Sequence, residues 1–169
     1  AVTSAGRVLF SPDNGGTWTV HTDFGGAFPL RRVRSLAGWG IMVCGGRGDD
    51  TTSLLKYNRL SGAGAWVNVN IGGHLAADLV GAASAVTIAD MARRDDNEMA
   101  IIFQGAALPG GVSVFYTANV FGDGSGWTRA TGLTAGLTTG RFIVPDEIAG
   151  TFHCAFGDRN MWHATNGVA

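Results

Sequence analysis

Apolar residues in this chain fall in short runs, each closed by a cluster of Gly, Asp, Asn or Ser. Runs of this kind, bounded by turn formers, read as β-strands rather than helices. Val8, Leu9 and Phe10 make one run and Thr19-Val20 opens another, so residues 8–20 predict a strand, a tight turn and a second strand. The same phrase recurs at 54–57 with 62–67, recurs again at 112–116 with 122–128, and begins a fourth time at 161–167. Two further strand-like runs precede each recurrence in fixed order. The nearer ones are 41–44, 100–103 and 151–156, each followed closely by a glycine (Gly45, Gly105, Gly157); the earlier ones are 32–36, 85–89 and 141–144. Three elements recurring in register make an internal repeat, and the tryptophans Trp18, Trp66 and Trp127 mark it at intervals of 48 and 61 residues.

The turn of the first hairpin has chemistry of its own. Asp13 is placed to accept hydrogen bonds from amides of its own turn, and Gly15 and Gly16 supply the positive φ values such a turn needs. Trp18 is expected to carry a large apolar surface back into the sheet, which would make its removal cost about 3–5 kcal/mol. Ser11, Asp13, Gly15, Thr17 and Trp18 resemble the Asp-box, Ser-x-Asp-x-Gly-x-Thr-Trp, the hairpin signature of sialidase-like, xyloglucanase-like and sortilin-like β-propellers. The second and third hairpins have lost the Ser and Asp and carry insertions. The resemblance implies a propeller of four-stranded antiparallel blades, with the box on the blade rim in a structural role away from any catalytic centre, in a protein outside the cytoplasm.

The repeat itself points the same way, since about 40–50 residues is the period of a four-stranded blade. The expected fold is therefore all-β: a partial blade over 1–28, complete blades over 29–83 and 84–139, and a truncated blade over 140–169. A ring needs roughly four to eight blades to hide its sheet edges. About three blades' worth of chain thus suggests a segment of a longer polypeptide, or else several copies closing a ring together. The start at Ala1, with neither Met nor signal peptide, suggests a processed or partial product. Residues 74–83, rich in Ala, are expected to form a short helix or ordered connection, and 93–98 a charged, solvated turn.

Composition agrees with many short strands: glycine accounts for 27 of 169 residues and proline for four. A net charge of −1 with no block of like charge argues against nucleic acid as a partner. Only Lys56 is lysine among the twelve basic residues, a compositional habit without functional weight. No apolar stretch reaches ~18 residues without a charge, Asp78 and Asp90 interrupting the best candidate, so no membrane span is expected. Cys44 and Cys154 each sit in an apolar run and read as buried free thiols, a disulfide being the alternative.

Candidate chemistry is sparse. Zinc-ligand spacing is missing, and His21, His74, His153 and His163 fall in different parts of the repeat, His153 and His163 on neighbouring strands. No cofactor or metal is expected. Ser53-Leu54-Leu55-Lys56 spells Ser-x-x-Lys but lacks the partner motifs. Arg31, Arg32 and Arg34 lie on a predicted innermost strand; alternation sends Arg32 and Arg34 to one face, where they either bind an anion toward a central channel or remain ordinary surface arginines. A glycosidase needs two carboxylates across a cleft, and Asp49, Asp50, Asp146 and Glu147 all fall in predicted turns. Arg47-Gly48-Asp49 spells an adhesion tripeptide and reads as a plain turn. The sialidases' Arg-Ile-Pro signature is absent, with residues 28–31 (Phe-Pro-Leu-Arg) only a loose echo.

The leading expectation is a non-catalytic binding or structural module, extracellular or on a cell or virion surface, that presents loops to a glycan or protein partner. The alternative is a fragment of a glycoside hydrolase of sialidase or xyloglucanase type. A third reading is a propeller that assists assembly of a larger complex.

Overall fold

The structure, a computed structural model, describes residues 1–26, 28–36, 40–45, 55–59, 65–73, 75, 87–94, 97–104, 113–123, 126–130, 139–146, 151–157 and 161–165. Residues 47–50, Ser53, His74 and Glu147 lie outside these, as does all of 76–86, so the tripeptide turn, the Ala-rich connection and three of the four candidate carboxylates are not placed. The described residues form an all-β protein of antiparallel sheets, none of which closes on itself.

A two-stranded sheet pairs β1 (Arg7–Phe10) with β2 (Thr19–Asp23). The second sheet runs in chain order through β3 (Leu30–Leu36), β4 (Gly40–Gly45), β5 (Leu55–Arg59) and β6 (Val67–Asn68). The third repeats that order with β7 (Thr87–Arg93), β8 (Met99–Gln104), β9 (Val114–Thr117) and β10 (Thr128–Arg129). The fourth has three strands, β11 (Gly140–Asp146), β12 (Thr151–Phe156) and β13 (Met161–Thr165).

Each sheet packs face to face on the next. Met42, Cys44 and Leu55 of the second sheet share a core with Ile88, Met91, Ile101, Phe103 and Trp127 of the third. The opposite face of the third, Ala92, Ala100, Ile102 and Val114, meets Ile143, Phe152 and Cys154 of the fourth. Burial on both faces is why β8 reads Met-Ala-Ile-Ile-Phe, an unbroken apolar run rather than an alternation. Each such side chain contributes on the order of 1.5–3 kcal/mol. Cys44 and Cys154 are both free thiols buried in these cores.

A finer repeat lies in the first strands. The pairing slips by one residue between Leu30 and Arg32 on β3, between Ile88 and Asp90 on β7, and between Gly140 and Phe142 on β11. Arg31, Ala89 and Arg141 are therefore the extra residues of three equivalent β-bulges, and each bulge bends its strand and re-aims the side chains that follow.

Candidate functional site

The three bulged strands lie side by side, β7 against β3 and β4, and β11 against β7 and β8. Where they meet stands Asp90, at the position past the bulge that Arg32 holds on β3 and Phe142 on β11. Its side chain is only 2% exposed. Oδ1 accepts from the Arg34 guanidinium (Nη2, 2.8 Å) and lies 3.3 Å from Arg32 Nε, while Oδ2 accepts the backbone N–H of Ile143 at 3.2 Å. Arg34 also donates through Nε to the Met91 carbonyl at 3.1 Å. One carboxylate on the third sheet thus holds two side chains of the second and the backbone of the fourth. A charge this deep requires such partners, because an unpaired buried carboxylate would cost far more than it could return.

Arg32 and Arg34 do share one face, as alternation required. Both are partly exposed and both lean on Asp90, which sequence reasoning passed over as a mere interruption of an apolar stretch. The signal was present, since an Asp in the middle of the apolar run Thr87–Ala92 has to be satisfied by something from another strand. Two guanidinium groups against one carboxylate leave one positive charge in excess. Beside Arg34 the first strands enclose a cavity of about 400 Å³, walled by Ala92, Ile143, Val144 and Pro145, with Ser35 and Arg93 also lining it.

The hairpin of residues 11–18 builds a second polar cluster. Asp13 Oδ1 accepts from the Ser11 hydroxyl (2.9 Å) and the Thr17 amide (2.7 Å), and Oδ2 from the Thr17 hydroxyl (2.8 Å). The Ser11 hydroxyl in turn accepts the Gly15 amide at 2.7 Å. Asn14 and Gly15, rather than the expected Gly15 and Gly16, take the positive φ values, 55° and 100°, and so form the left-handed pair of the turn. Hydrogen bonds from Thr17, and then from Ser11, hold the Asp13 carboxyl below the usual carboxylate range. Trp18 corrects the expectation of burial. It is 50% exposed, and its indole N–H donates to its own turn, at Gly15 O, 3.1 Å. Among the described residues the first sheet has two strands, and the ring's outer face is left open.

Other candidates resolve into pairings. Asp146 Oδ2 lies 3.1 Å from His153 Nε2, and His153 is paired in register with His163 between β12 and β13. The turn at 93–98 is more than a solvated loop: Arg94 pairs with Glu98, Glu98 also accepts from the Tyr116 hydroxyl at 2.9 Å, and the Arg94 guanidinium lies over the Phe152 ring. Among the described residues no group of three or more His, Cys, Asp or Glu could hold a metal ion. Among them, too, no helix is long and apolar enough to cross a membrane.

Comparison with protein-family models, curated proteins and solved structures finds no match. Function is accordingly read from the strand junction and its cavity.

Proposed function

We propose that the chain is a sector of an Asp-box β-propeller and serves as a non-catalytic binding and structural module, exposed outside the cytoplasm on a cell or virion surface. Its ligand is a glycan or protein group carrying a negative charge, received at the mouth where the first strands converge. The observation that carries this reading is the node itself. Asp90 fixes Arg32 and Arg34 in place while neutralising only one of them, so a pre-organised positive charge borders a cavity that Ser35 and Arg93 also line, beside the apolar Ala92, Ile143, Val144 and Pro145. An anion there meets a guanidinium that is already oriented, which lowers the ordering cost of binding.

The test is titration of the protein with a uronic-acid oligosaccharide and with a neutral oligosaccharide of the same length, followed by NMR of the arginine Nε–H signals. The acidic ligand should shift the Arg34 signal saturably and the neutral one should not. Equal responses to both, or a response confined to residues far from β3 and β7, would overturn the reading. Release of new reducing ends during the titration would instead favour the hydrolase alternative.

A further inference from the structure

Asn14 is followed by glycine, so no Cβ crowds an approach of the Gly15 backbone nitrogen to the Asn14 carboxamide. Both residues are exposed. In a chain free to rotate, such a pair closes a five-membered ring. The folded hairpin holds it away from that reaction. The φ values of 55° and 100° are those of a type I′ turn, which the Gly16 N–H closes by donating to the Asp13 carbonyl at 3.3 Å. In such a turn the first central residue has ψ of about +30°, which sets its Cβ and the next nitrogen on opposite sides of the Cα–C bond. Ring closure needs them on the same side. The Gly15 N–H also donates to the Ser11 hydroxyl at 2.7 Å, and that hydroxyl is anchored on Asp13 Oδ1 at 2.9 Å. Rotation about ψ of Asn14 turns the Gly15 peptide plane, so it has to break this bond first.

We propose that Asn14 is a covalent modification site gated by the turn, converted to aspartate or isoaspartate only when the hairpin opens. The Gly15 nitrogen attacks Asn14 Cγ; the new C–N bond forms, the Cγ–NH2 bond breaks, and ammonia leaves with the proton lost by the nitrogen. Water then adds to one of the two ring carbonyls of the succinimide. Cleavage of the bond from Cγ to nitrogen gives aspartate, and cleavage at the main-chain carbonyl gives isoaspartate. No oxidant or reductant takes part. Isoaspartate carries the backbone through its side-chain carbon and so adds a methylene between Asp13 and Gly15, which moves Gly15 out of register with Ser11. Either product sets a second carboxylate beside Asp13. The hydrogen bonds around Asp13 thus act as a lock on a reaction that cannot be undone by refolding.

The test follows the conversion in the 169-residue protein in mildly alkaline buffer. Tryptic mapping by mass spectrometry separates Asn14 from the chain's other Asn-Gly pair, at 166–167, and an isoaspartate methyltransferase assay identifies the product. A synthetic peptide of residues 8–20 and the protein in urea above its unfolding midpoint should convert at a common rate. The native protein should convert at least about tenfold more slowly, and Ser11→Ala about two- to tenfold faster than native. Native conversion as fast as in the peptide would overturn the proposal. So would Ser11→Ala at the native rate, or no conversion in the peptide. Aspartate formed without isoaspartate would overturn it too, since direct hydrolysis needs no ring. Where Ser11→Ala fails to fold, the comparison of native with urea-unfolded protein decides alone.

Discussion

Trp18, Trp66 and Trp127 occupy the same place in three successive hairpins, and their indole N–H groups show what each hairpin leans on. Trp127 is 1% exposed and donates to the Asn70 carbonyl at 3.2 Å, just past the outer strand of the sheet before it; Trp66 donates to Thr22 on β2 at 2.8 Å. Trp18 has no earlier sheet in the described structure and turns to its own loop. Trp127→Ala should therefore cost about 3–5 kcal/mol and Trp18→Ala about 1 kcal/mol or less, a difference that urea unfolding of the two variants measures directly. Asp13 carries a second prediction. Its carboxyl is held below the usual range in the folded hairpin, so what it contributes is present above the ordinary carboxylate pKa of about 3.9 and is lost as the pH falls through the lower folded value. An NMR titration should show the Thr17 amide and hydroxyl signals moving together only in that acid range, and Asp13→Asn should remove the transition. If the Thr17 signals instead moved near pH 4 to 5, the turn would not be stabilising the charged form.

At the scale of elements, the strands were legible and the bulges were not. Runs such as 41–44, 100–103 and 151–156 advertise themselves by apolar content and a closing glycine, and they became β4, β8 and β12. A bulge adds one residue without changing the type of its neighbours, so nothing in the local pattern around Arg31, Ala89 or Arg141 announces it; only the cross-strand register does. That single residue decides that Arg32 and Asp90 occupy equivalent positions on adjacent first strands. Replacing Asp90 by Asn keeps the shape, removes the charge and leaves two guanidinium groups facing an amide. The arginines are partly exposed, which moderates the penalty, and the expected loss is about 2–3 kcal/mol, read from the shift in urea midpoint at unchanged slope. Because Asp90 joins three strands, the loss should also loosen the fourth sheet, seen as faster hydrogen exchange at Ile143. Exchange at Ile143 unaltered in Asp90→Asn would show that the junction is held by packing alone.

At the scale of the whole molecule, stability is graded along the chain, because among the described residues the third sheet is covered on both faces and the fourth on one. The forward-facing side chains of β11, Phe142 and Val144, stay more than two-fifths exposed, whereas the equivalent β7 residues Asp90 and Ala92 are buried. The two thiols report on this gradient. Burial pushes the Cys44 thiol far above its ordinary value, with the nearby Asp90 charge acting in the same direction, and burial alone pushes Cys154 up to about 11. Neither is a thiolate at neutral pH, so each reacts only when its sheet opens. Cys44 lies between the second and third sheets, and its exposure requires separating the most extensive core; Cys154 lies on the terminal sheet and requires only that sheet to lift. At pH 8 a disulfide reagent should therefore label Cys154 through local opening, at urea concentrations below the global midpoint, and Cys44 only together with global unfolding. Mass spectrometry of the labelled peptides separates the two sites. Simultaneous labelling of both thiols across the transition would mean that the sheets open as one cooperative unit and that the fourth owes its order to the node at Asp90 rather than to its own packing.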